Sequence, residues 1–413
     1  RLPVFLLGLA LVAVAYGLGR ALHPAAAFPA AVLVACGPPY IILLSALPPP
    51  FYPTTLVLCG LILLLAVRAA KEMDDEGRPR GILALLGLLA GLALWTHLMS
   101  ASVVAASAAW LFFRARGRRV LLAFALVPLL IASAPLWARA LQGDEATSIL
   151  RAAPRDSTAL AHLGEVVPRL YEPVGGLLGT HVPVLADSEE FVVRPPSWIV
   201  AGLVLLYGLL LVLAVRGAKL SHPATLYLLA AGLVLLAFPF PARAAPHTIR
   251  FLTPLYLPVA ALVAWAASPR GTTRWSWVAV LSLGVAHLTG ATMLLGAWRT
   301  LDRAEAPFLL PDLTPVREAL AERGVRHAYA SYGPAWRLTW ESGERVVASQ
   351  PWNERFRHWP LPLLDEVRFA KNEALVLTPD IPTDLPPPRA FDQTMRTLGG
   401  RWQRVEARPA VVY

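Results

Sequence analysis

Long apolar blocks separated by short polar loops make up the chain as far as Trp298. Each block can cross a hydrocarbon core of about 30 Å as a helix rising about 1.5 Å per residue. A helix pairs its backbone groups internally, as lipid requires. We therefore predict a mainly α, polytopic transmembrane bundle of about ten helices, some of them short or interrupted by proline. The predicted spans are Pro3–Leu22, Ala26–Leu47, Thr54–Val67, Gly81–Thr96, Ser100–Phe113, Val120–Leu141, Trp198–Val215, Ala224–Phe240, Phe251–Ala267 and Trp275–Trp298.

After Trp298 the apolar blocks stop, and helix and strand signals alternate over a stretch long enough for a small domain. We predict a compact α/β domain over 299–413, following a membrane domain over 1–298 that carries a long loop at 142–197. We predict a helix with Thr314 as its N-cap, Pro315 at its first position and the amphipathic run Val316–Arg323 after it, ended by Gly324. The other predicted elements are strands Val325–Tyr332, Val346–Ser349, Ala374–Thr378 and Arg404–Tyr413, and the helix Arg389–Leu398.

The basic residues indicate an orientation. The chain has 37 Lys and Arg against 27 Asp and Glu, a formal charge of +10, and the cations lie mostly in alternate short loops. Such loops are cytoplasmic, so this charge reflects membrane topology and not nucleic-acid binding. The opposite, outer side then holds the Pro48–Pro53 turn, a tight Thr96–Ser100 turn, the 142–197 loop, the Pro241–Arg250 loop and the C-terminal domain.

The first block begins directly after Arg1 and runs from outside to inside. A span in that direction needs an earlier one, so we expect at least one further helix and outer loop upstream. Cys36 and Cys59 both lie in apolar blocks, which predicts neither a disulfide framework nor a metal site.

Polar residues gather at the predicted outer ends of the helices. They suggest a cavity open to lipid and to the outer water phase, which suits a lipid-linked substrate. Each also has a plainer interpretation, as an interfacial anchor, a member of the aromatic belt or a solvated loop residue. The candidates are Tyr40, Tyr52, His97, His181, Arg243, His247 and Arg250, with Asp144 and Glu145 first among the loop acids and Asp187, Glu189 and Glu190 after them.

Three stretches carry a resemblance to a known family. They are LLAGLALWTHLMS at Leu88–Ser100, RFLTPLYLP at Arg250–Pro258 and AYASYGPAWRLTWESGERVVA at Ala328–Ala348. They resemble segments of the bacterial glycosyltransferases of the C superfamily, the group that includes aminoarabinose transferases and protein mannosyltransferases. The resemblance implies a GT-C-like fold in a bacterial plasma (inner) membrane, with the α/β domain extracytoplasmic.

The same resemblance implies inverting transfer of a sugar from a polyprenyl-phosphate donor to a lipid, glycan or protein acceptor. Basic residues would hold the carrier phosphate, and an acidic residue of the first outer loop would act as base or orient the acceptor. Our topology places that loop before Arg1, so Asp144 and Glu145 are only weak substitutes for it. The predicted substrate-binding residues are Arg250 and His97, which lie in the family-like stretches, with His247 and Arg243 from the loop before Arg250 and Tyr52 and Tyr40 from the ends of the Pro-rich turn. No metal ligand or cofactor is assigned, and a divalent metal ion is left open.

Two other functions compete with this interpretation. A lipid or glycolipid transporter or flippase would need ionisable residues inside the spans or helices broken near the midplane. His287 is the exception in spans almost free of charge, which argues against transport. A non-catalytic scaffold with an outer binding domain is the third possibility.

Overall fold

The computed structural model describes residues 2–46, 51–75, 77–141, 164, 167–183, 192–219, 222–238, 246–268, 274–300, 312–352, 361, 363–378, 385–399 and 401–413. Of these described residues, 76% are helical. Contacts divide the chain into two compact units, a helical unit that ends at Arg299 and a second unit that continues from Thr300.

The helical unit contains thirteen described α-helices and several 3-10 segments. A two-stranded antiparallel pair, β1 (Val182–Pro183) with β2 (Val192–Val193), accompanies them. The helices are α1 Leu2–Leu22, α2 Ala27–Ala35, α3 Pro39–Ala46, α4 Phe51–Asp74, α5 Arg80–Thr96, α6 Ala101–Ala115, α7 Ala123–Ala132, α8 Ala134–Leu141, α9 Tyr171–Leu177, α10 Ser197–Gly217, α11 Pro223–Ala237, α12 Tyr256–Ala267 and α13 Arg274–Thr300. The 3-10 segments are Pro24–Ala26, Leu98–Ser100, Arg116–Leu122, Val167–Arg169 and Pro246–Leu255.

Among the described residues, six helices are long and apolar enough to cross a membrane, which suggests a multi-pass membrane protein. They lie at Phe5–Leu22, Tyr52–Asp74, Leu98–Ala115, Ser197–Gly217, Ile249–Ala267 and Ser276–Thr300. Shorter apolar helices lie at Pro24–Ala35, Arg80–Thr96 and Pro223–Ala237. The prediction of a membrane bundle is therefore supported in its coarse form, with fewer full-length spans than the ten expected.

Two predicted spans are broken. In Ala26–Leu47, α2 ends at Ala35 and α3 begins at Pro39, because Pro38 and Pro39 lack the N–H groups that would continue the helix. In Val120–Leu141, the helix breaks at Ser133 between α7 and α8. The hydroxyl of Ser133 donates to the carbonyl of Leu129 at 2.7 Å and accepts from the indole N–H of Trp137 at 2.8 Å. The Ser133 side chain thus links the end of α7 to α8 across the break.

The predicted turn between the fourth and fifth spans is confirmed, since α5 ends at Thr96 and α6 begins at Ala101.

The two ends of the helical unit differ in chemistry. Helix α4 begins at Phe51 and ends at Asp74, so these ends are about 36 Å apart. At the Asp74 end, Arg114 forms an ion pair with Asp74, and Arg118 donates to the carbonyl of Met73 at 3.1 Å. We call this the basic end. That it faces the cytoplasm stays a prediction.

Close packing of α5 on α7 depends on glycine. A Cβ placed on Gly87 would lie 1.9 Å from the carbonyl oxygen of Ala125, and one on Gly91 would lie 2.5 Å from that of Leu129. Small residues of this kind let helix backbones approach closely in a membrane.

We expect Gly87→Ala to lower the stability of the purified protein, by about 1–3 kcal/mol, because the added methyl group forces the two helices apart. Thermal unfolding in lipid nanodiscs measures this. Gly232→Ala in α11 is the control, because a Cβ there meets nothing within 4 Å. Equal unfolding temperatures for the two variants would contradict the packing described.

The second unit is a five-stranded mixed sheet with helices. The strand order is β4-β3-β5-β7-β6, with β3 parallel to β4 and β5, and β7 antiparallel to β5 and β6. A core of Leu, Val and Ala side chains joins one face of the sheet to α14 and α15. The elements are α14 Thr314–Glu322, β3 His327–Ala330, α15 Tyr332–Glu341, β4 Val347–Ser349, α16 Leu364–Arg368, β5 Glu373–Leu377, α17 Pro388–Thr397, β6 Val405–Ala407 and β7 Ala410–Val412.

Most predicted elements of this unit are present, with three corrections. Helix α14 has Leu313 as its N-cap, and Thr314 is its first residue, whose hydroxyl accepts from the guanidinium of Arg317 at 2.8 Å. The single strand predicted for Arg404–Tyr413 is a hairpin of β6 and β7. Helix α15 follows β3 after Ser331, and its first residue, Tyr332, had been predicted as the end of the strand.

Candidate functional site

His97 is held in place by its own turn. It has extended backbone angles between α5 and the 3-10 segment Leu98–Ser100. Its ring Nδ1 accepts a hydrogen bond from the backbone N–H of Met99 at 3.2 Å, and its carbonyl accepts from the hydroxyl of Ser100 at 2.9 Å. Because Nδ1 is an acceptor here, the neutral ring carries its proton on Nε2. The turn therefore fixes both the position and the tautomer of His97.

Tyr52 and Arg250 join His97 at this end of the helical unit. The rings of Tyr52 and His97 have centroids 5.8 Å apart and planes inclined at 35°. The guanidinium of Arg250 lies 5.2 Å from the ring centroid of Phe251, and the hydroxyl of Thr253 donates to the carbonyl of Arg250 at 2.9 Å. We call Tyr52, His97 and Arg250 the polar-end cluster. It lies at the opposite end of α4 from the basic end.

The charge state of His97 depends on this neighbourhood. Burial, and secondly the positive charge of Arg250, lower the pKa of His97 to about 4. The imidazole is therefore neutral at pH 7 and offers one N–H donor, while Arg250 supplies the positive charge. A neutral donor beside a fixed cation is suited to an anionic group such as a phosphate ester.

Of the other predicted site residues, Tyr40 lies on α3 with its side chain fully enclosed by protein. For His247 the structure describes the backbone alone, in the same 3-10 segment as Arg250. The remaining candidates fall outside the described residues. These are Arg243, Asp144, Glu145, Asp187, Glu189 and Glu190.

A second group of polar residues, Glu172, His181 and Arg194, lies on α9 and the chain that follows it. Helix α9 packs on the 3-10 segment that holds Arg250. A Cβ on Gly176 would lie 2.3 Å from the side chain of Ile249 and 3.0 Å from Nε2 of His181. Burial and the nearby Arg194 lower the pKa of His181, while Glu172 acts in the opposite direction. His181 was a sequence candidate, but Glu172 and Arg194 were not, because a single acid and a single base in a long loop carry no spacing signal.

Among the described residues, no three His, Cys, Asp or Glu side chains lie together in a way that could hold a metal ion. The polar-end cluster offers nitrogen donors and phenol, a set suited to recognising oxygen atoms of a ligand.

His287 lies in the interior beside the break between α2 and α3. Its Nδ1 is 3.0 Å from the carbonyl oxygen of Cys36, and its Nε2 is 3.2 Å from the hydroxyl of Tyr207. Since a carbonyl only accepts, Nδ1 donates, and the neutral ring accepts from Tyr207. The hydroxyl of Tyr256 donates to the carbonyl of Leu33 at 2.7 Å. These side chains cap carbonyls of the broken helix.

No protein-family model matches the chain, and neither a curated protein nor a solved structure matches it. The geometry of the polar-end cluster and the sequence resemblance therefore carry the functional argument.

Proposed function

We propose that the protein is a membrane glycosyltransferase that moves a sugar from a polyprenyl-phosphate donor to a lipid, glycan or protein acceptor at the outer face of a bacterial plasma membrane. One observation carries the proposal. His97 lies in the first family-like stretch and Arg250 opens the second. Although they are far apart in sequence, the 3-10 segment that follows His97 packs on the 3-10 segment that holds Arg250, and Arg250 is near enough to lower the pKa of His97. Two stretches that separately resemble the family thus each contribute a residue to the polar-end cluster.

In this proposal Arg250 binds the carrier phosphate. A planar guanidinium can form two parallel hydrogen bonds to phosphate oxygens, which a lysine ammonium cannot. Phosphate gains negative charge as the sugar departs, so a fixed cation stabilises the transition state more than the ground state. The neutral His97 adds its Nε2–H donor to the same phosphate or to a sugar hydroxyl.

Tyr52 supports the cluster as a positioning residue. Its side chain is only 9% exposed and its ring packs on that of His97. The general base is left unassigned. Glu172 is a partly buried carboxylate of the group on α9, where it accepts a hydrogen bond from the hydroxyl of Tyr171 at 3.1 Å. We assign it no more than a candidate role in orienting the acceptor.

The proposal is tested by a transfer assay on the purified protein in lipid nanodiscs. Radiolabelled mono-sugar polyprenyl phosphates are the donors, and an extract of bacterial envelope lipids, glycans and proteins supplies the acceptors. We expect label to pass to an acceptor with inversion at the anomeric carbon. Hydrolysis only, or no loss of donor with any sugar, would count against a transferase.

Transport is the second candidate, because α2 and α3 form a broken helix beside the buried His287. Broken helices often line transport sites. Here, however, the Cys36 and Leu33 carbonyls are hydrogen-bonded by His287 and Tyr256, which fits a packing role. Flux of labelled lipid across proteoliposomes that is lost in His287→Ala and kept in Arg250→Ala would favour the transporter.

A further inference from the structure

A groove of about 660 Å³ lies on the sheet of the second unit. Strands β3, β5 and β7 contribute to its floor, α17 to one side and the chain before β6 to another. Its size falls within the roughly 300–1,000 Å³ of small-molecule sites. No residue of the polar-end cluster takes part, so the groove is a separate feature.

Aromatic side chains from five different segments line the groove. One wall is fixed, because the rings of Phe391 and Tyr413 lie 4.6 Å apart and the hydroxyl of Tyr413 donates to the carbonyl of Pro388 at 3.2 Å. Backbone hydrogen bonds between Tyr413 and Leu375, each 2.9 Å long, also tie this wall to the sheet. The five aromatic residues are Tyr329, Trp352, Phe391, Trp402 and Tyr413.

Uncharged polar groups stand beside these rings. The amides of Asn372, before β5, and Gln403, before β6, are both exposed and belong to the lining. The charged residues of the described lining are Arg323, Arg401 and Glu373, a net charge of +1, and Arg323 lies 3.4 Å from the carboxylate of Glu322 outside the lining. A groove of this composition offers flat apolar faces together with neutral donors and acceptors.

We propose that this groove binds a neutral oligosaccharide. A pyranose ring has an apolar C–H face, which packs on an aromatic ring, and an edge of hydroxyls, which an amide can meet with both a donor and an acceptor. A phosphate or nucleotide calls for several converging cations, whereas the described lining residues carry a net charge of only +1 and one of their two arginines, Arg323, pairs with Glu322. The inference depends on the second unit alone and holds whether or not the polar-end cluster transfers sugar.

The test uses the full chain in lipid nanodiscs prepared without glycoside detergents, because such detergents would themselves offer sugar to the groove. The probe is an array of neutral oligosaccharides of different linkage, followed by calorimetric titration of the strongest binder. We expect Trp352→Ala to weaken binding about tenfold, because it removes a stacking face. The matched control is Trp340→Ala on α15, since Trp340 is 86% exposed and lies outside the groove.

A second variant separates lost recognition from lost folding. Gln403→Ala leaves every ring in place and should also weaken binding, with an unchanged unfolding temperature. The proposal fails if no oligosaccharide of the array binds. It also fails if Trp352→Ala and Trp340→Ala lose binding equally, or if peptides compete for the groove while saccharides do not.

Discussion

Replacing Arg250 by alanine should lower sugar transfer about a hundredfold, the effect of losing one preorganised donor at a developing charge. Arg250 lies at the polar end on a segment that packs on the turn after His97, where the carrier phosphate would bind in our proposal. Arg250→Lys should recover little of the loss, because a point charge cannot form two parallel hydrogen bonds. Initial rates at saturating donor, with membrane insertion checked in parallel, measure both effects.

Arg80 offers a matched control for this experiment. Its guanidinium lies 5.1 Å from the ring centroid of Phe124, close to the 5.2 Å between Arg250 and Phe251, but it begins α5, at the opposite end of that helix from His97. Arg80→Ala removes the same charge and the same kind of ring contact. If Arg80→Ala and Arg250→Ala slow transfer to the same extent, or if Arg250→Ala keeps the parental rate, Arg250 is an interfacial anchor only.

The long apolar blocks were the most predictable part of the fold, because lipid permits few backbone structures. The two apolar blocks that were predicted as single spans but are broken both contain proline. The Pro38-Pro39 pair removes two consecutive backbone donors, and the resulting break is stable only because His287 and Tyr256 cap carbonyls near it. Those partners come from distant helices, so a local pattern could show the proline but not the caps that make a break tolerable.

In the second unit, β3, β4 and β5 were visible as apolar runs, while α15 was missed. Its buried residues Ala335, Leu338 and Thr339 have the spacing of a helix face. Three aromatic residues within Tyr332–Glu341 favour a strand by propensity, and the packing of the helix on the sheet overrides that preference. The hairpin of β6 and β7 was predicted as the single strand Arg404–Tyr413 because the turn between the two strands occupies only two residues.

The candidate site was predictable in its residue types but not in its grouping. Tyr52, His97 and Arg250 each stood at a predicted helix end, and the structure brings them together. Tyr40 had the same sequence signal as Tyr52, yet it is enclosed by protein. Which face of a short helix such as α3 turns inward depends on packing partners far along the chain.

Replacing His97 should have two separable effects. His97→Ala removes the cap on the Met99 N–H, which should cost about 1 kcal/mol of stability. It also removes the Nε2–H donor, which should slow transfer at least about tenfold. His97→Asn distinguishes the two roles, because an asparagine oxygen can accept from the N–H two residues on, as Nδ1 of His97 does. We expect His97→Asn to regain the stability and not the transfer rate.

The pH dependence of stability gives an independent measure of the same residue. The folded-state pKa of His97, about 4, lies below the ordinary 6.5, so between these values the unfolded chain binds the extra proton. The contribution of His97 to stability is therefore complete above pH 6.5 and is lost as the pH falls toward 4. Unfolding temperatures of the parental protein should decline over this window more steeply than those of His97→Asn, which has no proton to take up at this position. Parallel curves for the two proteins would show that the His97 ring is not held neutral by its surroundings. In the transfer assay, a parental rate for His97→Asn would show that His97 only forms the turn.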